Sequence, residues 1–249
     1  MKYLFLLLFA LLALQLPAQV EVNNGGGWFG SRGERVRGNG DVQTVTRNID
    51  GFTGVSACCS MDVELSEGAF SVRVEAESNL QDFVKTEVKG NRLEIGYTEE
   101  ANFKSTEPIN VFVTLPRLEY LKASSSSTVS STNTFHGEGL EVDVSSSATA
   151  RLKFIGESVT TDASSSATLV IEGEADEVRA DASSSSRIDA GKLVSRDGQA
   201  DVSSSADIIL NLKESLKAKA SSSGSVSYYG NPSKVDSDTN SSGSVRSRN

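Results

Sequence analysis

Ala200-Asp201-Val202-Ser203-Ser204-Ser205-Ala206-Asp207-Ile208-Ile209-Leu210 is the stretch that decides how this chain is to be read. Ala200, Val202, Ala206, Ile208 and Leu210 share one parity, the spacing of one face of a β-strand, and a serine triplet sits at the centre. The triplet recurs, starting at Ser124, Ser145, Ser164, Ser183, Ser203 and Ser221, and Asn240 opens a degraded copy. The starts are 18 to 21 residues apart. A fixed period of that size marks a solenoid whose repeats each form one turn of a stacked coil.

The copies agree position by position. Just before each triplet stand Ala123, Val144, Ala163, Ala182, Val202 and Ala220, and two residues earlier Leu121, Val142, Thr161, Ala180, Ala200 and Ala218. Five residues after each start come Val129, Ala150, Leu169, Ile188, Ile208 and Val226. This parity predicts a strand of about ten residues running through the triplet. The middle serine then points inward and the first and third outward. Buried middle hydroxyls would bond from rung to rung, about 4.8 Å apart, so that no polar group is left costly. Glycines such as Gly156, Gly173 and Gly191 fall in shorter return segments, where corners need them. The expectation is an all-β chain, a right-handed parallel β-helix of roughly 20-residue rungs.

Upstream, residues 71–76, 83–88, 92–97 and 109–115 alternate as strands without the serine signature, and Lys89-Gly90-Asn91-Arg92 reads as a hairpin turn. These are extra strands inserted near the N-terminal end. Val55-Ser56-Ala57-Cys58-Cys59-Ser60-Met61-Asp62-Val63-Glu64-Leu65 aligns with the opening stretch, so Cys58 and Cys59 occupy triplet positions in an earlier rung. They are the chain's two cysteines. Neighbouring cysteines lie about 3.8 Å apart at Cα, closer than the usual disulfide span of about 5.5 Å. Parity also puts Cys59 inside and Cys58 outside. Two thiols, one buried and one more accessible, are therefore favoured over a strained vicinal bridge or an intermolecular one.

Residues 1–18 read as a secretory signal, with basic Lys2, an apolar run from Leu4 to Leu16, and Ala18 at the cut. The run is short for a membrane span, and the mature chain holds no other, so it is expected to lack a transmembrane segment. The expected location is exported: periplasmic, associated with the outer surface, or secreted. Residues 19–41 are Gly-rich and mixed in charge, an expected flexible arm in which Trp28 and Phe29 are free or dock on the body or a partner. Residues 42–249 form one domain, with serine rungs from about 121 onward. A net charge of −9 argues against nucleic acid as a partner.

The segment Ile49-Asp50-Gly51-Phe52-Thr53-Gly54-Val55, then Asn91-Arg92-Leu93-Glu94-Ile95, residues 109–121 and the repeated small-residue triplets resemble the family called putative auto-transporter adhesin, head GIN domain. In that family the repeats commonly read Ser-Gly-Ser, and here most Gly positions are Ser. The resemblance covers residues 45–245 and implies an exported bacterial β-helical protein. It supplies no catalytic residues to carry over.

Two surfaces are candidate sites. The position two residues before each triplet reads Lys122, Asp143, Asp162, Asp181, Asp201 and Lys219. Four stacked carboxylates repel by about 1 kcal/mol per neighbouring pair in water, which leaves two readings: a solvated acidic stripe, or a column that holds calcium between rungs. The outer hydroxyls Ser145, Ser147, Ser164, Ser166, Ser183, Ser185, Ser203 and Ser205 form a lattice suited to a glycan or a cell-surface protein, or to packing under a second protomer. No cofactor is expected other than calcium at that stripe. The single His136 lies beside Gly137 with no second histidine to work with, so a noncatalytic protein is expected.

Overall fold

The computed structural model describes residues 35–248. The expected signal, with Trp28 and Phe29 of the arm, lies outside the described residues. Residues 35–41, the end of that arm, are structured: Val36–Arg37 pairs in parallel with Phe103–Lys104, and Arg35 Nε donates to the Phe103 carbonyl at 2.9 Å.

Residues 42–248 build a parallel β-solenoid of about 7 turns. In the regular part, Phe135–Val144, Thr149–Ala163, Thr168–Ala182, Arg187–Val202 and Asp207–Ala220 pair each with the next in parallel. The register matches the sequence alignment: Val142 faces Thr161, Thr161 faces Ala180, Ala180 faces Ala200 and Ala200 faces Ala218. All five are buried, as are Ala150, Leu169, Ile188, Ile208 and Val226 beyond the triplet. Small and apolar side chains at equivalent positions thus stack into the core.

Spatial order departs from chain order at the N-terminal end. Gly54–Ala57 lies between Arg92–Tyr97 and Tyr120–Ala123, and Asp62–Glu67 lies between Asn110–Leu115 and Thr128–Ser131. The chain lays down the second coil, then the end coil, and then returns. Antiparallel strands close this end: Val84–Lys89 on Arg92–Tyr97, Ser71–Glu77 on Asn110–Leu115, and Val42–Arg47 on Ser71–Glu77. The expected hairpin is present, with Gly90 at φ +63°, the positive φ that its first turn position demands.

The serine triplet is not part of a strand. Its second and third residues adopt positive φ in every copy, for example Ser146 at 52° and Ser147 at 61°. The fourth residue's N–H closes the turn on the first, as from Ala148 to Ser145 at 3.1 Å. Positive φ at both central residues and a first-to-fourth bond are the marks of a type I′ turn. The expectation of an inward middle serine is therefore overturned: Ser125, Ser146, Ser165, Ser184, Ser204 and Ser222 are exposed. The left-handed pair swings two side chains to solvent and drops the fourth residue into the coil. Ser127, Ala148, Ala167, Ser186 and Ala206 are buried there. The internal hydroxyl ladder is replaced by a main-chain one, in which the third residue's N–H donates to the second residue's carbonyl of the next coil. Ser126 donates to Ser146, Ser147 to Ser165, Ser166 to Ser184 and Ser185 to Ser204, all at 2.9 or 3.0 Å. The buried fourth-position hydroxyls instead reach back to main-chain carbonyls, Ser127 to Ala57 at 3.3 Å and Ser186 to Ala163 at 2.7 Å.

Candidate functional site

Stacking the I′ corners puts two exposed hydroxyls per coil in adjacent columns along one edge of the solenoid. Ser147, Ser166, Ser185 and Ser205 of the sequence-derived set are exposed as expected; Ser145, Ser164, Ser183 and Ser203 are half-buried, and the second-position serines take the outer place instead. The main chain beneath is held coil to coil by the serine N–H bonds, so the hydroxyls stand on a fixed lattice.

The aspartates run beside this edge in strict register: Asp143 faces Asp162, Asp162 faces Asp181 and Asp181 faces Asp201. Lys122 precedes the column and Lys219 follows it. Partial burial, then the charges of Asp143 and Asp181, raise the Asp162 carboxyl above the usual aspartate range. Neighbours relieve the column at two points. Tyr120 donates to Asp143 at 2.7 Å, and Arg179 Nε lies 3.4 Å from Asp181. Burial, with the Asp143 carboxylate next, pushes the Tyr120 hydroxyl up to about 12. Among the described residues, no group of three or more His, Cys, Asp or Glu side chains is arranged to hold a metal ion. Next to the column, Thr160, Arg179, Gln199 and Lys217 line an open depression of about 370 Å³.

His136 is exposed. Its main-chain N–H donates to Glu67 Oε2 at 2.7 Å and its Nδ1 lies 3.1 Å from the same oxygen. The arrangement ties two neighbouring coils together.

The family model for "Putative auto-transporter adhesin, head GIN domain" matches residues 51–232. The chain belongs to this family. No curated protein matches it. Solved structures share the fold at low identity. A putative adhesin from Bacteroides fragilis NCTC 9343 aligns at a TM-score of 0.80 and 16% identity, covering 85% of this chain and 99% of that one. A putative adhesin from Parabacteroides distasonis ATCC 8503 aligns at 0.73 and 20%, covering 86% and 100%. A protein from the same organism described as a putative lipid binding protein aligns at 0.72 and 19%, covering 87% and 100%. The family and two of these three neighbours carry the adhesin name, and none is named as an enzyme.

The cysteines of this head GIN domain overturn the thiol expectation: Cys58 and Cys59 are joined by a disulfide, with their Cα atoms 3.7 Å apart. Parity counting failed for the same reason as in the serines. Cys59 and Ser60 sit at φ 72° and 57°, so the pair is on a left-handed corner and not on opposite faces of a strand. Gly96 leaves room for it; a Cβ there would meet Cys58 Sγ at 3.0 Å. Around the disulfide gather Tyr97, Phe103, Arg35 and Lys104. Sequence reasoning missed this grouping. The one available signal was a cysteine pair at triplet positions, because the aromatic and basic residues come from other segments.

Proposed function

We propose that the chain is a noncatalytic, exported cell-envelope or surface protein, an adhesion module that engages a repetitive glycan through its stacked serine corners. The observation that carries this reading is the conformation of the serines. Among the described residues, all sixteen non-glycine residues at positive φ lie at the second or third position of a triplet copy, and fifteen of them are serine. Glycine adopts that conformation without steric cost, whereas an L side chain pays roughly 1–2 kcal/mol. Strain kept at exposed, chemically uniform positions points to a surface role for the side chain. A ligand with its own regular spacing of hydroxyls could meet several coils at once, each contact adding to avidity.

A glycan array with the purified protein tests this. Binding to extended polysaccharides is expected, and Ser165→Arg, which places a bulky charge in mid-column, is expected to abolish it. If the wild type binds no sugar but self-associates with increasing concentration, and Ser165→Arg prevents that, the edge is a protein-docking surface instead. Cleavage of any glycan would overturn the noncatalytic reading. Running the array with calcium and with chelator assigns the aspartate column: a calcium dependence lost in Asp162→Asn with Asp181→Asn makes it a cation site, and its absence makes it a solvated flank.

A further inference from the structure

The disulfide corner differs from its sister copies in chemistry while keeping their geometry. Ser60 N–H donates to the Ser125 carbonyl at 2.9 Å, so this corner stacks in the same column as the serine corners. Serine pairs make the same left-handed turn in the other copies. The fold therefore does not need sulfur at this position. What the disulfide adds is a soft, polarizable apolar surface.

That surface borders a concavity of about 380 Å³, within the size range of small-molecule sites, lined by Arg35, Cys59, Ser60, Tyr97, Phe103 and Lys104 among others. Its apolar side is continuous. The Tyr97 and Phe103 rings meet edge to face with centroids 4.9 Å apart, and Phe83 stacks behind Phe103 at 5.4 Å. Its polar side is cationic and hydroxylic. Arg35 spends its Nε on the Phe103 carbonyl, which fixes the guanidinium at the rim. Among the described residues neither Arg35 nor Lys104 forms an ion pair with a carboxylate. In a chain of net charge −9, two such cations facing one concavity are a local inversion of sign.

We propose that this concavity binds a terminal carboxylate-bearing sugar of a glycan. A pyranose ring has an apolar C–H face that packs on sulfur and aromatic edges, and a rim of hydroxyls within reach of Ser60. A carboxylate on the ring matches the Arg35 fork, with Lys104 as a second point charge. The inference shares its ligand class with the serine-corner reading but uses a different surface, and the two fail separately.

The test uses the full chain and three probes: oligosaccharides ending in galacturonic acid, in N-acetylneuraminic acid, and in galactose. Acid-terminated probes are expected to bind at least tenfold more tightly than the galactose-terminated one. Cys58→Ser with Cys59→Ser recreates the serine corner already present elsewhere, so the fold should survive, checked by circular dichroism, while acid-terminated binding falls at least tenfold. Arg35→Gln should remove the preference for acid over neutral ends. Equal binding of acidic and neutral ends, or wild-type binding by the double cysteine variant, overturns the proposal. Binding that responds to Ser165→Arg but to neither the cysteine nor the Arg35 change also overturns it and leaves the serine-corner reading standing. Failure of every probe overturns it as well.

Discussion

A serine at positive φ sets its Cβ against the following carbonyl oxygen. At the corners this chain accepts that contact twice per coil. Replacing one second-position serine by glycine should therefore stabilise the protein: Ser165→Gly is expected to gain up to ~1 kcal/mol, part of the steric relief being offset by glycine's greater unfolded-state entropy. For a chain of this size that is a rise of about 2–4 °C in melting temperature by calorimetry. Ser165→Val should move the other way and lower the melting temperature, because a β-branched residue is a true outlier in that region. Equal melting temperatures for the two variants would mean that the corner is not held at positive φ. Strand parity gave the correct inner residues on both sides of the triplet because the turn consumes an even number of residues. Parity alone could not show that the alternation breaks in between.

At the scale of elements, the strand Ser71–Glu77 ends on a buried carboxylate that holds two loops. Glu77 accepts from Gly40 N–H at 2.7 Å, Thr106 N–H at 2.9 Å and the Thr106 hydroxyl at 2.6 Å. Gly38 packs against the same carboxylate so closely that a Cβ would collide with it. The Thr106 hydroxyl, with the main-chain donors, depresses the Glu77 carboxyl to about 2, against an ordinary value of 4.5. Because the folded value lies below the unfolded one, the ionised group stabilises the fold above about pH 4.5, and this contribution is lost as pH falls toward about 2. Glu77→Gln keeps the shape and removes the charge. It should be less stable than wild type at pH 7, with the gap closing between pH 4.5 and 2; thermal melts across that range check this. A gap independent of pH would mean that the carboxylate's charge does not hold the loops.

For the solenoid as a whole, the two ends are finished differently. Antiparallel strands cover the N-terminal coil, whereas the last coil, Lys234–Thr239 and Ser244–Ser247, pairs on Asp207–Ala220 and Ser225–Tyr229. In that coil Ser237 and Thr239 stand in register with buried Ala218 and Ala220. Val245 packs on the core and the exposed Val235 stands in register with Leu216, so this coil covers the layer below with mostly small polar side chains and two valines. Its charges, Lys234, Asp236, Asp238 and Arg246, also discourage edge-to-edge pairing. Deleting residues 233–249 should bare the layer containing Leu216 and Val226, lower the melting temperature and cause aggregation seen by light scattering. A truncated chain that stays monomeric and equally stable would show that the final coil adds nothing to the cap.

The sequence by itself determined the solenoid, its register, the inner residues on either side of each triplet and the aspartate column. Each depends only on a repeat period and on two-residue alternation, and both are written linearly in the chain. Only the tertiary structure decided that the triplets are left-handed corners, that Cys58 and Cys59 bridge, and that the end coil lies outside the coil laid down before it. Backbone handedness at serine has no compositional mark, unlike at glycine. The grouping of Arg35, Cys59, Tyr97 and Phe103 likewise comes from segments that meet only when the chain doubles back over its first coil.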